Sequence, residues 1–101
     1  MQQPSTGRIV HYVLPQHYPN GGQIRPAMII RPWSEISDDP HSGMCNLTVF
    51  LDGANDLVIS QTGSLWVGSV YHDAGGKPGT WHWPILGKAA TAPLVQSGEA
   101  R

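Results

Sequence analysis

The stretch Asn46-Leu47-Thr48-Val49-Phe50-Leu51-Asp52 decides the fold class, because its aliphatic residues recur at every second position. Successive side chains of a β-strand point to opposite faces of a sheet, so Leu47, Val49 and Leu51 share one face. This period of two predicts a strand that turns one face toward a core.

Further strands are predicted where β-branched and aromatic residues cluster between prolines and glycines. These segments are residues 7–14, 27–31, 65–71 and 80–83, with residues 57–60 as a short edge strand. The nearly continuous apolar run at 27–31 predicts burial on both faces. Gly68, inside a strand, predicts a bulge or a close backbone approach.

The composition limits the architecture to a small mainly β domain. A chain of 101 residues allows one domain, and 12 Gly and 9 Pro exclude long helices. Five to six short strands separated by turns predict a small SH3-like, partly open barrel. We expect a flexible N-terminal arm at residues 1–6, the barrel at 7–84 and a flexible tail at 85–101, with Trp33 and Trp66 in the core.

Charge and cysteine content exclude several classes of function. The net charge is −1 without any run of like charge, which argues against binding a nucleic-acid polymer. Cys45 is the single cysteine, so no intramolecular disulfide and no all-cysteine metal site are possible. No apolar stretch is long enough to cross a bilayer, so we expect a soluble intracellular protein without membrane contact.

Catalysis and cofactor binding have no motif in the sequence. The 5 histidines show neither HxH nor HxxxH spacing, and P-loop, GxGxxG, GxSxG and HExxH motifs are absent. We therefore expect no metal, no cofactor and no enzyme activity. A small hydrolase using His72, His82 or Asp73 is the alternative in this class.

Four segments carry a resemblance to a known family. They are GRIVHYVL at 7–14, RPA at 25–27, NLTVFLDGAND at 46–56 and GKPGTWHWP at 76–84. Over about residues 7–84 the chain resembles a family of small bacteriophage-encoded proteins without an assigned function. The resemblance implies a phage gene product that acts in the infected bacterium or in the virion, and it implies no catalytic residues.

Two neighbouring segments are candidates for a ligand site. On a strand, Trp81 and Trp83 would lie on one face and His82 on the other, as a stacking surface for a base or as the closing layer of a core. The preceding glycine-rich segment 75–79 could present backbone N–H groups and the Lys77 ammonium to a phosphate, or could be only a hairpin loop.

Arg25 is the best candidate among the arginines, because it lies between a Gly-rich loop and Pro26 and could fork onto a phosphate. An ion pair with Asp52 or Asp56 is the structural alternative. The predicted ligand-binding residues are Arg25, Lys77, Trp81, His82 and Trp83.

These features favour a binding module over an enzyme. We expect a phage-encoded module that sequesters a phosphate-bearing small molecule, such as a nucleotide immune signal, in the infected bacterium. A chain of this size with 4 Trp also predicts a symmetric homo-oligomer, with the ligand between protomers. The alternative is a virion component, either a capsid decoration protein or a tail connector.

Overall fold

The computed structural model describes residues 3–33 and 43–85, which form one antiparallel sheet of five strands in the order β4-β3-β2-β1-β5. The strands are β1 (Ile9–Val13), β2 (Ile24–Pro32), β3 (Cys45–Phe50), β4 (Ser64–Val70) and β5 (Trp81–His82). The first four strands form a meander, and the chain then returns to place β5 beside β1. The sheet does not close on itself, so the predicted mainly β, partly open barrel is confirmed.

The core lies on one face of this sheet. It is built from alternate residues of each strand, as the period of two in β3 predicts: Leu47 and Val49 are fully buried and Leu51 packs against the cluster. The other buried members are Val10, Tyr12, Leu14, Ala27, Ile29, Cys45, Val70 and Trp81. Because β1 lies between β2 and β5, its core residues contact apolar side chains from both neighbours.

β2 is buried on one face only, so the prediction of burial on both faces is wrong. Ala27 and Ile29 face the core, whereas Ile30 is 42% exposed. The pairing with β3 shifts between Ile29 and Arg31, which leaves Ile30 as an extra residue in a bulge. An apolar run can therefore hide a bulge, because the residue count along the strand changes there without any polar signal.

The predicted edge strand at 57–60 is not a strand. A 3-10 helix, Gly53–Asp56, follows β3, and the chain continues in a turn in which the amides of Ile59 and Ser60 both donate to the Asp56 carbonyl. The Asp and Asn residues around Gly53 favour this local turn structure over an extended one.

A second bulge lies in β4, where Leu47 pairs with Val67 but Cys45 pairs with Val70. Ser69 has φ of 57° there, and a Cβ at Gly68 would come within 2.7 Å of the Trp66 ring. The sequence prediction of a bulge or close approach at Gly68 is therefore confirmed.

The side chain of Asn46 in β3 stabilises this bulge through hydrogen bonds. Its Oδ1 accepts hydrogen bonds from the Ser69 amide at 2.9 Å and from the indole N–H of Trp33 at 3.2 Å. One side chain therefore ties the bulge in β4 to the residue that follows β2.

The outer face of the sheet carries a row of residues across four strands. Trp66 pairs with Thr48, Thr48 with Met28, and Met28 with Ile9. Trp66 is 63% exposed and Ile9 is 46% exposed. The prediction that Trp66 belongs to the core is wrong, because Trp66 falls one position out of phase with the core residues Leu65 and Val67. Trp33 is half-buried.

Residues at the chain ends were predicted as an arm and a tail. Within residues 3–6, Pro4 is buried, the Ser5 carbonyl accepts from the Arg8 amide, and Thr6 Oγ1 donates to the Ile30 carbonyl at 3.4 Å. The predicted tail beyond Ile85 and residues 34–42 lie outside the described residues. In the part that is described, no helix has the length and apolar character needed to span a membrane.

Candidate functional site

Arg25 is held by a buried carboxylate at one end of the core. Its Nε donates to Asp56 Oδ2 at 2.8 Å and its Nη2 donates to Asp56 Oδ1 at 3.0 Å. Asp56 ends the 3-10 helix, and its carboxylate also accepts from Asn20 Nδ2 at 2.8 Å and from the Asp52 amide at 2.6 Å. Asp56 therefore links the loop after β1, the start of β2 and the chain after β3.

This pairing fixes the charges of both groups. The hydrogen bonds from Arg25 hold the pKa of the Asp56 carboxyl well below its usual range, although burial acts in the opposite direction. The same hydrogen bond raises the pKa of Arg25. Further bonds run from Arg25 Nη1 to the Ile24 carbonyl and from Nη2 to Gln23. The ion pair that the sequence left open for Arg25 is present, and four of the five N–H groups of its guanidinium donate to the protein.

A groove of about 320 Å³ lies beside this ion pair. Its lining comprises Arg25, Pro26, Phe50, Leu51 and Asp52. The Phe50 ring is 41% exposed, and Asp52 is exposed with one carboxylate oxygen accepting from Asn55 Nδ2 at 2.9 Å. The groove is therefore mostly apolar with one carboxylate at its rim.

Lys77 lies on the loop between β4 and β5. The backbone N–H groups of Lys77 and Gly75 donate to the carboxylate of Asp73, the former at 2.8 Å, and these bonds lower the pKa of Asp73. The amides that were predicted to hold a phosphate thus hold an internal carboxylate. The Lys77 side chain is exposed, and Thr80 Oγ1 donates to its carbonyl at 2.7 Å.

Trp81 lies in the core with none of its surface exposed, and its indole N–H donates to the Gly43 carbonyl at 2.8 Å. The Trp83 ring contacts it edge to face with 5.2 Å between centroids, so the two indoles lie together as predicted. The guanidinium of Arg8 stacks on the Trp83 ring at 4.8 Å. Protein atoms thus cover Trp81, and Trp83 is the more accessible indole of the pair.

His82 is only 6% exposed and pairs with His11 of β1, with 5.7 Å between the ring centroids. His72 contacts the Trp81 ring at 4.7 Å. Burial lowers the pKa of His82, and the nearby His11 and His72 lower it further, against an opposing effect of Asp73. His82 is therefore neutral at pH 7 in the folded protein.

Two buried nitrogen atoms on neighbouring residues, His82 Nδ1 and Trp83 Nε1, have no hydrogen-bond partner among residues 3–33 and 43–85. Buried polar atoms of native proteins are nearly always satisfied by protein, water or a ligand, so each of these two nitrogens has the capacity for a hydrogen bond to a bound group. The indole N–H can only donate, whereas the neutral imidazole nitrogen can donate or accept. A group that binds to the Trp83 N–H must therefore be an acceptor.

The structure brings four of the five predicted site residues to the β5 region and holds Arg25 elsewhere in the barrel. Arg25 and Trp81 both pair with Tyr12, from opposite sides of β1. No local feature of the sequence indicates that His11 and Arg8 lie beside β5, because the pairing of β1 with β5 joins positions about seventy residues apart. Only the apolar character of both segments signals that pairing in the sequence.

No metal centre is evident among residues 3–33 and 43–85, where no three His, Cys, Asp or Glu side chains are grouped to bind an ion. No protein-family model matches the chain, and neither a curated protein nor a solved structure matches it. Indications of its function therefore come only from the contacts between its own residues.

Proposed function

We propose that the protein is a non-catalytic binding module that holds a phosphate-bearing small molecule, such as a nucleotide, at β5. The supporting observation is the pair of buried, unpartnered nitrogens, His82 Nδ1 and Trp83 Nε1. A phosphate oxygen accepts hydrogen bonds and never donates when ionised, so it suits the Trp83 N–H and the donor tautomer of His82.

Two cationic side chains of the β5 region support the choice of an anion. Lys77 carries an exposed ammonium on the loop that leads into β5, and Arg8 places a guanidinium over the Trp83 ring. An anion near His82 would also offset the burial that lowers its pKa. The Asp73 carboxylate already occupies the loop amides, so we assign phosphate recognition to the side chains of Lys77, His82 and Trp83.

In this proposal Trp81 and Arg25 do not contact the ligand but keep the surrounding structure in place. Trp81 packs edge to face on Trp83 and orients it, while Arg25 holds the opposite side of β1 in place through Asp56. In the setting that the sequence resemblance implies, a phage-encoded module of this kind would lower the concentration of a nucleotide immune signal in the infected cell. Such sequestration needs high copy number and tight binding but no chemical step.

Calorimetric titration of a panel of mono-, di- and cyclic nucleotides tests the proposal. Trp83→Phe keeps an aromatic side chain but removes the five-membered ring that carries the N–H, so it should weaken binding by at least about tenfold to a hundredfold, the equivalent of one charge-assisted hydrogen bond. Lys77→Ala should weaken binding about tenfold. Arg31→Ala removes an exposed cation from β2 and should leave the affinity unchanged.

Native mass spectrometry of the purified protein adds a second readout, since it reports retained nucleotide and oligomeric state together. The proposal fails if no member of the panel binds and no ligand co-purifies, or if Trp83→Phe binds as tightly as the wild type.

A second function is favoured by the outer face of the sheet. The exposed apolar side chains of Trp66 and Ile9, in one row with Met28, suit packing against another protein surface. A virion component or a homo-oligomer would use such a face. Light scattering at high protein concentration tests this alternative, and Trp66→Ser should reduce any assembly while leaving nucleotide affinity unchanged.

A further inference from the structure

The groove between the start of β2 and the end of β3 has the features of a second ligand site. It measures about 320 Å³, which is within the lower range of small-molecule sites. The apolar part comes from Pro26, Phe50 and Leu51, and the polar part from Arg25 and Asp52. From this lining we infer that the groove binds a planar cation of the alkylguanidinium class.

The charge of the lining selects a cation. Arg25 and Asp56 neutralise each other through two hydrogen bonds, and the Asp56 side chain is 0% exposed. Asp52 then contributes the one uncompensated charge at the groove, and it is negative. The only ion pair within residues 3–33 and 43–85 is that of Arg25 with Asp56, so Asp52 keeps its carboxylate for a ligand.

The shape and chemistry of the walls select a planar cation. The Phe50 ring is 41% exposed and offers a π face, on which guanidinium groups stack favourably. A carboxylate matches the paired N–H groups of a guanidinium in two parallel hydrogen bonds. Asn55 Nδ2 donates to Asp52 Oδ2 at 2.9 Å and so orients the carboxylate before a ligand arrives.

The groove is organised by one buried group. Asp56 accepts from the Arg25 guanidinium on one wall and from the Asp52 amide, at 2.6 Å, on the other. A fixed wall geometry reduces the entropy that ligand binding would otherwise cost. The contacts of Asp56 with both walls give a reason for its complete burial, since an ion pair with Arg25 alone could lie at the surface.

NMR titration of the full chain with ethylguanidinium tests the inference. Saturable shifts of the Phe50, Leu51 and Asp52 amides are expected. Asp52→Asn keeps the bond to Asn55 and should weaken binding about tenfold or more, while Phe50→Leu should weaken it about twofold to fivefold. Asp73→Asn, which changes an aspartate on the β4–β5 loop, should bind like the wild type.

Two comparison ligands make the result specific. Ethylurea has the same shape without the charge, and binding of ethylurea as tight as that of ethylguanidinium would overturn the inference, as would unchanged affinity of Asp52→Asn. A blocked Ala-Arg-Ala peptide separates the sources of the group. Tighter binding of the peptide assigns the groove to an arginine of a partner polypeptide, and binding of ethylguanidinium alone assigns it to a free small molecule.

Discussion

The buried ion pair gives the sharpest stability prediction. The side chains of Arg25 and Asp56 are 11% and 0% exposed, so Arg25→Met leaves a buried carboxylate without its main partner. Removing one partner of a buried pair costs about 3–5 kcal/mol, a large part of the roughly 5–15 kcal/mol that stabilises a typical domain. We expect a loss of this size in the free energy of unfolding at pH 7.

The pH dependence identifies the cause of that loss. In the wild type the pKa of Asp56 lies below its ordinary value of 3.8, so its contribution is complete above that pH and is lost as the pH falls through the folded-state pKa. In Arg25→Met, burial without the guanidinium raises the pKa of Asp56, so the carboxyl becomes neutral in mild acid. The difference between the two proteins should therefore shrink as the pH falls from about 7 to about 4.

Urea unfolding followed by tryptophan fluorescence measures these free energies, provided that the slope is the same in both proteins. Arg31→Met is the matched control and should change the stability by less than about 0.5 kcal/mol. Asn20→Ala is a milder variant in case Arg25→Met does not fold, and it should cost about 1.5–3 kcal/mol. A loss below about 1 kcal/mol for Arg25→Met, or a loss that is independent of pH, would refute the reasoning.

Three further measurements follow from other contacts. Burial lowers the pKa of His82 below its ordinary 6.5, so the free energy of unfolding should fall as the pH drops below about 6.5 and level off below the folded-state pKa. His82→Gln should flatten this dependence in urea unfolding. Gly21→Ala places a Cβ 2.6 Å from the Cα of Gln16 and should cost about 1–3 kcal/mol, whereas the new Cβ of Gly68→Ala meets only the movable ring of Trp66 and should cost less. Equal losses of the two variants in thermal unfolding would contradict this. Cys45 is buried and its pKa is raised to about 11, so alkylation should be slow in the native protein and fast in denaturant, as mass spectrometry would report.

Local pattern was enough to predict most of the strands. The alternation in β3 and the proline that ends β2 correspond to observed strand positions. The predictions from sequence were wrong where the pairing of strands, and not the local residue pattern, determines which face of the sheet a residue occupies. Ile30 is exposed because it follows the core residue Ile29 on a strand that is buried on one face only, and Trp66 is exposed because it lies opposite Thr48 on the outer face.

The candidate site was predictable in part for the same reason. Lys77, Trp81, His82 and Trp83 are neighbours in the chain, so a local pattern could group them. The sequence pattern around Arg25 fits a phosphate equally well, but the actual partner of Arg25 is supplied by the 3-10 helix, 31 residues away. A pattern of single residues carries no information about which acidic side chain a fold brings to an arginine.

The two bulges determine which residues face the core in the part of each strand that follows them. Extra residues lie opposite Asn46 on both neighbouring strands, at Ile30 in β2 and at Gly68 and Ser69 in β4. Regular alternation through Gly68 and Ser69 without a bulge would turn Val70, now 3% exposed, to the outer face and Tyr71, now 60% exposed, to the core face, whereas the bulge keeps Val70 opposite the buried Cys45. Related sequences with the same number of residues in β4 should therefore keep this bulge, and a relative that lacks the residue at Ser69 should pair regularly here with Val70 still facing the core.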